Sequence, residues 1–478
     1  MIDQTRVSRR RFLEASAAVT AGGLAAPYII PADVLAGPGR AGANDRIGIG
    51  WIGTGRRAHQ MISDLKTTRS LPGECRVVAV SDLWTKKSHE YLKTYEERVL
   101  GPKGGKTGAE YGIYQDYRKL LESKDVDAVV LTTPEHWRAL PCIHACQAGK
   151  DVYAEKPLSL TIREGRAMVE AVRKHKRVSQ VGTQQRSYQR NREASEYVRN
   201  GRIGRVHTVL CQNWLSSRPD SDYKLPTETV PAGLDWDMWC GQTEPLPYSE
   251  QVYRTYINPG WHNLSRYSGG WLNNAGSHAL DMVQWALGMD DTGPVEVWAK
   301  RKSYDSPAAF RYANGVVVKL EHSCAGPGIP PWKSMEEPVD AASQFGAIFV
   351  GDKGTLIEHR GRFNTKPIAI SQEPIKKTDT HLYNSGHHFQ NWINCIKSRE
   401  RCAADIEIGH RTCTLCHLVN IARQLGRKLR WNPEREIFPD DAEANALLDR
   451  PQRAPYQLPE TAEWRCPTHE GSTIAFGQ

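Results

Sequence analysis

Between Arg46 and Pro157, short apolar runs alternate with amphipathic stretches. RIGIGWI, CRVVAVSD, DAVVLTT and DVYAEKP, with a shorter run near Gly112, read as buried strands; the segments opening at Arg56, Thr85 and His136 read as helices. Strands separated by helices predict a doubly wound parallel sheet with right-handed crossovers. Past Pro157 the pattern changes. A charged amphipathic helix (TIREGRAMVEAVRKHKR) and the strand VSQVGTQQR precede scattered strands such as RVHTVLCQNWL, VEVWAKR, GVVVKLEHSC and AIFVGDKGTLIEHR. These predict an α+β region with an open, largely antiparallel sheet and two helical stretches, 385–397 and 410–425, packed beside it. After Pro433 the Pro and Arg content predicts an extended tail. The class is α/β, with boundaries at 46–157, 158–432 and 433–478.

The amino terminus carries Ser8-Arg9-Arg10-Arg11-Phe12-Leu13, then a small, weakly apolar run over 15–26. This order fits a twin-arginine (Tat) export signal, and the run is too short and too soft for a stable membrane span. Val34-Leu35-Ala36 offers a cleavage site, giving a leader of 1–36 and a linker of 37–45. The expectation is export by the Tat machinery to the periplasm.

Composition narrows the classes. A length of 478 residues exceeds what one core usually supports, so two domains are expected. The net charge of +9 is spread along the chain rather than massed beside aromatic stacking motifs, which argues against nucleic acid as a partner. Eleven cysteines, odd in number and irregular in spacing, read as mostly buried thiols. His410, Cys413, Cys416 and His417 have metal-like spacing, but an apolar stripe of Leu415, Leu418, Val419 and Ala422 runs through the same helix, so packing is expected and no metal. LGPKGGKTGAEYG imitates a phosphate-binding P-loop, yet Leu100 stands at the first glycine position and no apolar strand precedes it.

Chemistry concentrates at the predicted strand ends. Gly53-Thr54-Gly55 makes a tight turn into a helix whose free N–H groups suit a pyrophosphate, with Ala58 small enough for close helix–strand packing and Arg56 and Arg57 at the helix start. Asp82 follows the next strand. It stands 27 positions beyond Gly55 (82 minus 55), and the polar insertion TTRSLPGE accounts for the length. A carboxylate there reads ribose hydroxyls and repels a 2′-phosphate, which favours NAD; Lys86 and Lys87 keep NADP as the lesser alternative. Thr133, Pro134 and His136, at the end of DAVVLTT, are placed to line the nicotinamide side. Glu155, Lys156 and Pro157 close DVYAEKP.

Glycine turn, Asp82 and EKP segment together resemble the Gfo/Idh/MocA family of NAD(P)-dependent sugar and cyclitol oxidoreductases, from about Arg46 to about Pro455. The resemblance implies a Rossmann domain followed by a substrate domain. It directs Lys156 to the reacting hydroxyl and Glu155 to the inner ribose or nicotinamide region, a salt bridge from Glu155 to an arginine being the structural alternative. It also implies that, in SGGWLNNAGSHALDMVQWALG, an aspartate four residues before a histidine tunes that histidine as proton acceptor. Here the pair is Asn274 and His278. Asn274 would orient the imidazole through a hydrogen bond without stabilising its charged form, and Asp281, one turn on, would cap or pack. Gln185 and Arg186, beside Gly182 and Gln184, are expected to reach substrate hydroxyls or the nicotinamide amide. Trp261, His262 and Tyr267, with Trp236 and Trp239, form an aromatic set suited to a pyranose ring.

The reading is hydride transfer between a secondary alcohol of a sugar or cyclitol and tightly held NAD, catalysed by Lys156, His278 and Asn274. The alternatives are an NAD-dependent glycosidase or lyase working through a transient keto-sugar, and a sugar-binding protein that keeps the nucleotide without turnover. A homo-oligomer formed through the C-terminal sheet is the further expected partner.

Overall fold

The computed structural model describes residues 46–66, 73–101, 111–254, 259–322 and 344–459. The Tat-like leader, the P-loop imitation and Cys324 and Cys466 lie outside them. The first sheet has six parallel strands: β1 (Ile47–Ile52), β2 (Cys75–Ser81), β3 (Gly112–Tyr114), β4 (Ala128–Leu131), β5 (Asp151–Ala154) and β6 (Ser179–Val181). Their order is β3-β2-β1-β4-β5-β6, the doubly wound arrangement in which the chain reverses direction between β1 and β4. Helices on both faces leave β1 and β4 wholly buried, which is why these strands read as unbroken apolar runs.

The parallel sheet continues past Pro157. Helix α4 (Ile162–Lys174) returns the chain to β6, which pairs with β5; α1 (Arg56–Lys66), α2 (Thr85–Tyr95) and α3 (Ala139–Gln147) make the earlier crossovers. Thr161 caps α4 by accepting from the Glu164 N–H at 3.1 Å, and the Glu164 carboxylate accepts from the Leu160 N–H at 3.0 Å.

The second sheet has eight strands, β7 (Val206–Gln212), β8 (Glu296–Ala299), β9 (Ala308–Arg311), β10 (Val317–His322), β11 (Ile348–Gly351), β12 (Gly354–His359), β13 (Arg362–Lys366) and β14 (Lys428–Arg430). They run in the order β13-β12-β11-β7-β10-β9-β8-β14. Only the β7–β10 pair among them is parallel. Against this sheet pack α5 (Gln189–Arg199), α6 (Ser277–Leu287) and one face of α8 (Ile406–Leu425).

The predicted packing of the late helices needs correction. Helix α7 (His388–Ser398) lies on the parallel sheet, with Trp392 fully buried and its ring 5.6 Å from Tyr153 of β5. Helix α8 serves both domains: Ile406 and Cys413 join the core around α3 and β5, while Leu415, Leu418 and Val419 join the core of the second sheet. The tail returns to the first domain. Arg450 bonds the Glu164 carboxylate at 2.8 Å and the His136 carbonyl at 3.1 Å, and the buried Tyr456 ring meets Trp137 at 5.4 Å. Among the described residues no helix is long and apolar enough to cross a membrane.

Candidate active site

A cleft runs along the carboxyl ends of β1, β2, β4 and β5, where ligands of doubly wound sheets lie. After β1 the chain turns at Gly53 with φ 85°, and a Cβ there would come within 3.0 Å of the Thr133 nitrogen. Any other residue would be strained by both the left-handed backbone and the neighbouring loop. The Thr54 N–H and hydroxyl donate to Asp82 Oδ2 at 2.8 and 3.1 Å, and the Trp84 N–H donates to Oδ1 at 3.0 Å. Asp82 thereby fixes the glycine turn and keeps acceptor capacity for a further donor. Desolvation raises its pKa, and the three hydrogen bonds oppose the rise.

The next two strand ends bring the reactive groups. Glu155 is buried, its Oε1 accepting from Arg57 Nε and Nη2 at 2.8 and 2.7 Å, so the salt-bridge alternative forms. Lys156 Nζ donates to the Asn274 carbonyl at 2.8 Å and to its Oδ1 at 2.7 Å. Burial lowers the Lys156 pKa to about 8, helped by the Arg57 and Arg360 charges and opposed by Glu155 and Glu135. A lysine in that range holds or yields a proton near neutral pH.

Asn274 therefore serves Lys156, whereas a bond to His278 had been expected. The cause is local: Leu272–Gly276 form a π-helical turn directly before α6. Wider winding takes residue 274 out of line with residue 278, which a continuous α-helix would have stacked on one face. Gly270, φ 85°, admits the chain to this turn against the Ser217 backbone, where a Cβ would approach within 2.3 Å. His278 is 3% exposed, packs against Phe345 at 5.5 Å, and leaves Nδ1 without a hydrogen-bond partner. Desolvation, with the Lys156, Arg360 and Arg57 charges, holds its pKa well below the usual histidine range, so the ring is neutral.

Gly53, Gly55, Arg56, Asp82, Thr133, Pro134, Glu155, Lys156, Trp261, His262 and Asn274 line the cleft. Thr54 lies behind it as the donor to Asp82, and the buried Thr133 hydroxyl has no partner. Three predicted ligands point elsewhere. His136 is fully buried, paired through Nε2 with the Trp239 carbonyl at 2.8 Å, and burial pushes its pKa down to about 3. Tyr267 is buried with its hydroxyl on Cys240 Sγ, at 3.6 Å. Arg186 is buried against Asp281 and Asp290, at 2.9 and 2.7 Å, and is not among the residues that line the cleft. Gln185 is a spacer: its amide bonds the Phe345 carbonyl at 3.1 Å and the His278 carbonyl at 3.4 Å.

Glu135, unnoticed in the sequence, lines the cleft and accepts from Ser268 Oγ and the Gly269 N–H at 2.7 and 2.9 Å. Its place after Pro134, at a strand end, was the available signal. In α8, His410 bonds Glu436 at 2.7 Å, Cys416 faces the Leu272 carbonyl at 3.6 Å, and Cys413 and His417 meet each other at 3.3 Å.

Residues 47–183 match the oxidoreductase family described as an NAD-binding Rossmann fold, and residues 206–325 and 364–458 match the C-terminal alpha/beta domain of the same family. The chain belongs to the Gfo/Idh/MocA family. That assignment carries the Rossmann domain to Val181, beyond the expected boundary at Pro157, because β6 completes the sheet. Within the family the chain is similar to levoglucosan dehydrogenase of Pseudarthrobacter phenanthrenivorans, 34% identical over 43% of this chain and 51% of that protein. It is also similar to α-N-acetylgalactosaminidase of Shewanella oneidensis, 28% identical over 33% of this chain and 35% of that protein. The matched segment thus spans about half of one curated relative and about a third of the other. In fold it resembles a levoglucosan dehydrogenase solved with NADH and L-sorbose, with a TM-score of 0.51 and 16% identity over 81% of this chain and 99% of that one.

Proposed function

We propose that this Gfo/Idh/MocA protein oxidises a secondary alcohol of a sugar or cyclitol with NAD that stays bound. The observation that carries the reading is Lys156, held by Asn274 at the edge of the NAD-binding sheet with its pKa brought near 8. Gly53, Gly55 and Asp82 would hold the dinucleotide, and the tight approach at Gly53 together with the spare acceptor capacity of Asp82 suits it. When bound, NAD supplies the hydride acceptor. The residues then divide the remaining work. Lys156 in its neutral form takes the alcohol proton, Asn274 orients the amine, and Arg57 compensates the Glu155 charge beside it. Neutral, buried His278 serves as a shaping group more readily than as an imidazolium. Trp261 and His262 supply the apolar wall of the sugar site.

Retention has structural support. Residues 232–253 lean over the cleft beside Asp82: Trp84 Nε1 donates to the Ala232 carbonyl at 3.2 Å, Gln115 Nε2 donates to the Gly233 carbonyl at 3.1 Å, and the Asp235 N–H donates to the Leu83 carbonyl at 3.1 Å. Lys87 pairs with Glu90 at 3.0 Å rather than offering its charge to a 2′-phosphate, which supports NAD over NADP. A retained cofactor also suits the twin-arginine leader, since that route carries folded proteins, and it favours as second reading a redox-neutral glycoside cleavage in which the cofactor is restored within one cycle. The test is to denature the purified protein, identify the released dinucleotide by mass spectrometry, and assay the intact protein on free sugars and aryl glycosides. Absence of NAD sinks the first reading, and sugar release without net NADH selects the second. Export is tested by Arg9→Lys with Arg10→Lys, which should hold a precursor in the cytoplasm.

A further inference from the structure

Among the described residues Arg360 has no anionic partner. It stands between β12 and β13, with its guanidinium over the Phe345 ring at 3.9 Å and its Nε donating to Gln185 Oε1 at 2.9 Å. Gln185 in turn holds the Phe345 and His278 carbonyls, and the Phe345 ring contacts the His278 ring. This packing holds the guanidinium near enough to the His278 side of the site for its charge to act on both His278 and Lys156. The remaining edge is unused: Nη2 is buried without a hydrogen-bond partner, and among the described residues no carboxylate forms an ion pair with it.

Several sequestered arginines are neutralised by carboxylates, whereas buried Arg138 bonds the Pro157 and Thr133 carbonyls. Arg186 has Asp281 and Asp290, Arg166 has Glu407 and Glu436, and Arg450 has Glu164. Two cleft carboxylates are committed as well, Glu155 to Arg57 and Glu135 to Ser268 and Gly269. Lys156 bonds the neutral amide of Asn274, at the position where the family resemblance implies an aspartate set to tune the histidine. Lys156, which lines the cleft, and Arg360, whose charge reaches it, thus both lack a direct carboxylate partner among the described residues. Guanidinium edges match planar or tetrahedral oxyanions with paired N–H donors, and a desolvated cation gains most from a charged acceptor.

We propose that Arg360 binds an oxyanion substituent of the substrate, so that the sugar presented to Lys156 carries a carboxylate or a sulfate ester. This rests on the dehydrogenase reading above and names its substrate class. The test uses NAD-loaded protein and two parallel readouts, ligand affinity by calorimetry and reduction of the bound cofactor at 340 nm. The probes are glucuronate, galacturonate and glucose 6-sulfate against glucose and galactose.

The expected result is that at least one anionic sugar binds more tightly than its neutral parent, and that Arg360→Gln weakens that binding by about 10- to 100-fold, so that the preference for the anionic sugar over its neutral parent is lost. Arg360→Lys should recover part of the loss. The uronates and the sulfate ester, compared with each other, identify which oxyanion fits. Equal binding of neutral and anionic sugars by the native protein, binding by none of the anionic sugars, or indifference of anion binding to Arg360→Gln overturns the proposal. The native comparison stands even if the variant does not fold. Cofactor reduction by neutral sugars with no anionic preference would end the Arg360 assignment alone; Arg360-dependent binding without any cofactor reduction would end the dehydrogenase reading alone.

Discussion

The two walls of the cleft are assembled differently. The cofactor wall draws Gly53, Asp82, Thr133 and Glu155 from the ends of β1, β2, β4 and β5, so the topology of one parallel sheet brings them together. The other wall draws Asn274 from a π-turn, and the groups packed around His278 after it come from further elements, Gln185 from the link between β6 and α5 and Arg360 from a hairpin of the second sheet. No single element aligns those three. They are positioned by side-chain contacts across long sequence separations, such as Lys156 to Asn274 and Arg360 to Gln185. A change on the first wall should act locally on nucleotide affinity, whereas a change on the second should alter proton transfer, substrate choice or folding according to which contact is cut.

The largest expected effect falls where the walls meet. Lys156→Ala should lower turnover by about 10²–10⁴ and leave the NAD content of the purified protein unchanged. Full activity in that variant would remove Lys156 from the chemistry. Next in size is Arg186→Met, which leaves buried Asp281 without its cationic partner, with the Thr412 hydroxyl still donating to it, and should cost about 3–5 kcal/mol in urea unfolding. If Arg186 touched sugar, KM would rise in the folded variant, whereas a structural ion pair predicts an unchanged KM. On the cofactor wall, Asp82→Ala removes the acceptor of Thr54 and a reader of ribose, and should weaken NAD about 10- to 100-fold, as loss of charged hydrogen bonds does. Equal NAD retention by native and variant protein would break the contrast between the walls.

The smallest effect is the most specific. In Asn274→Asp a carboxylate would stand about where Oδ1 now lies, 2.7 Å from Lys156 Nζ. Opposite charge favours the ammonium, so the lysine pKa rises from about 8 toward its ordinary value. Oxidation needs the neutral amine; its rising limb should therefore move to higher pH by about one unit or more. A limb that stays in place would show that the pH profile belongs to another group.

This contrast also sets what could be read from residues alone. Strand ends were legible because apolar runs separated by helices define a parallel sheet, and its order dictates which loops share an edge. Glu155 and Lys156 could be placed at the cofactor for that reason. Arg186 could not be assigned, since its partners Asp281 and Asp290 lie 95 and 104 positions away and a lone arginine carries no mark of an ion pair. The Asn274–His278 spacing misled for a geometric reason: four residues define a shared face only while the helix is regular, and the π-turn breaks that condition. His136 was drawn from the cleft by Trp239 and Tyr267, whose approach depends on the fold of the second domain. Helix α7 has an apolar face that fits either sheet, and the burial of Trp392 against Tyr153 decides between them.

The tail that binds Arg450 to Glu164 and Tyr456 to Trp137 bears on the order of synthesis. Chains emerge from the ribosome amino end first, and domains generally fold in that order. Every strand of the nucleotide-binding sheet has been made by Val181, long before residues 232–253 reach across the cleft and longer still before Arg450 clasps α4. α7, which covers the outer face of that sheet, also arrives late. A nascent protein thus passes through a stage in which the nucleotide wall exists and its cover does not. Arg450 and Tyr456 are added only after the sheet of the domain they bind is complete.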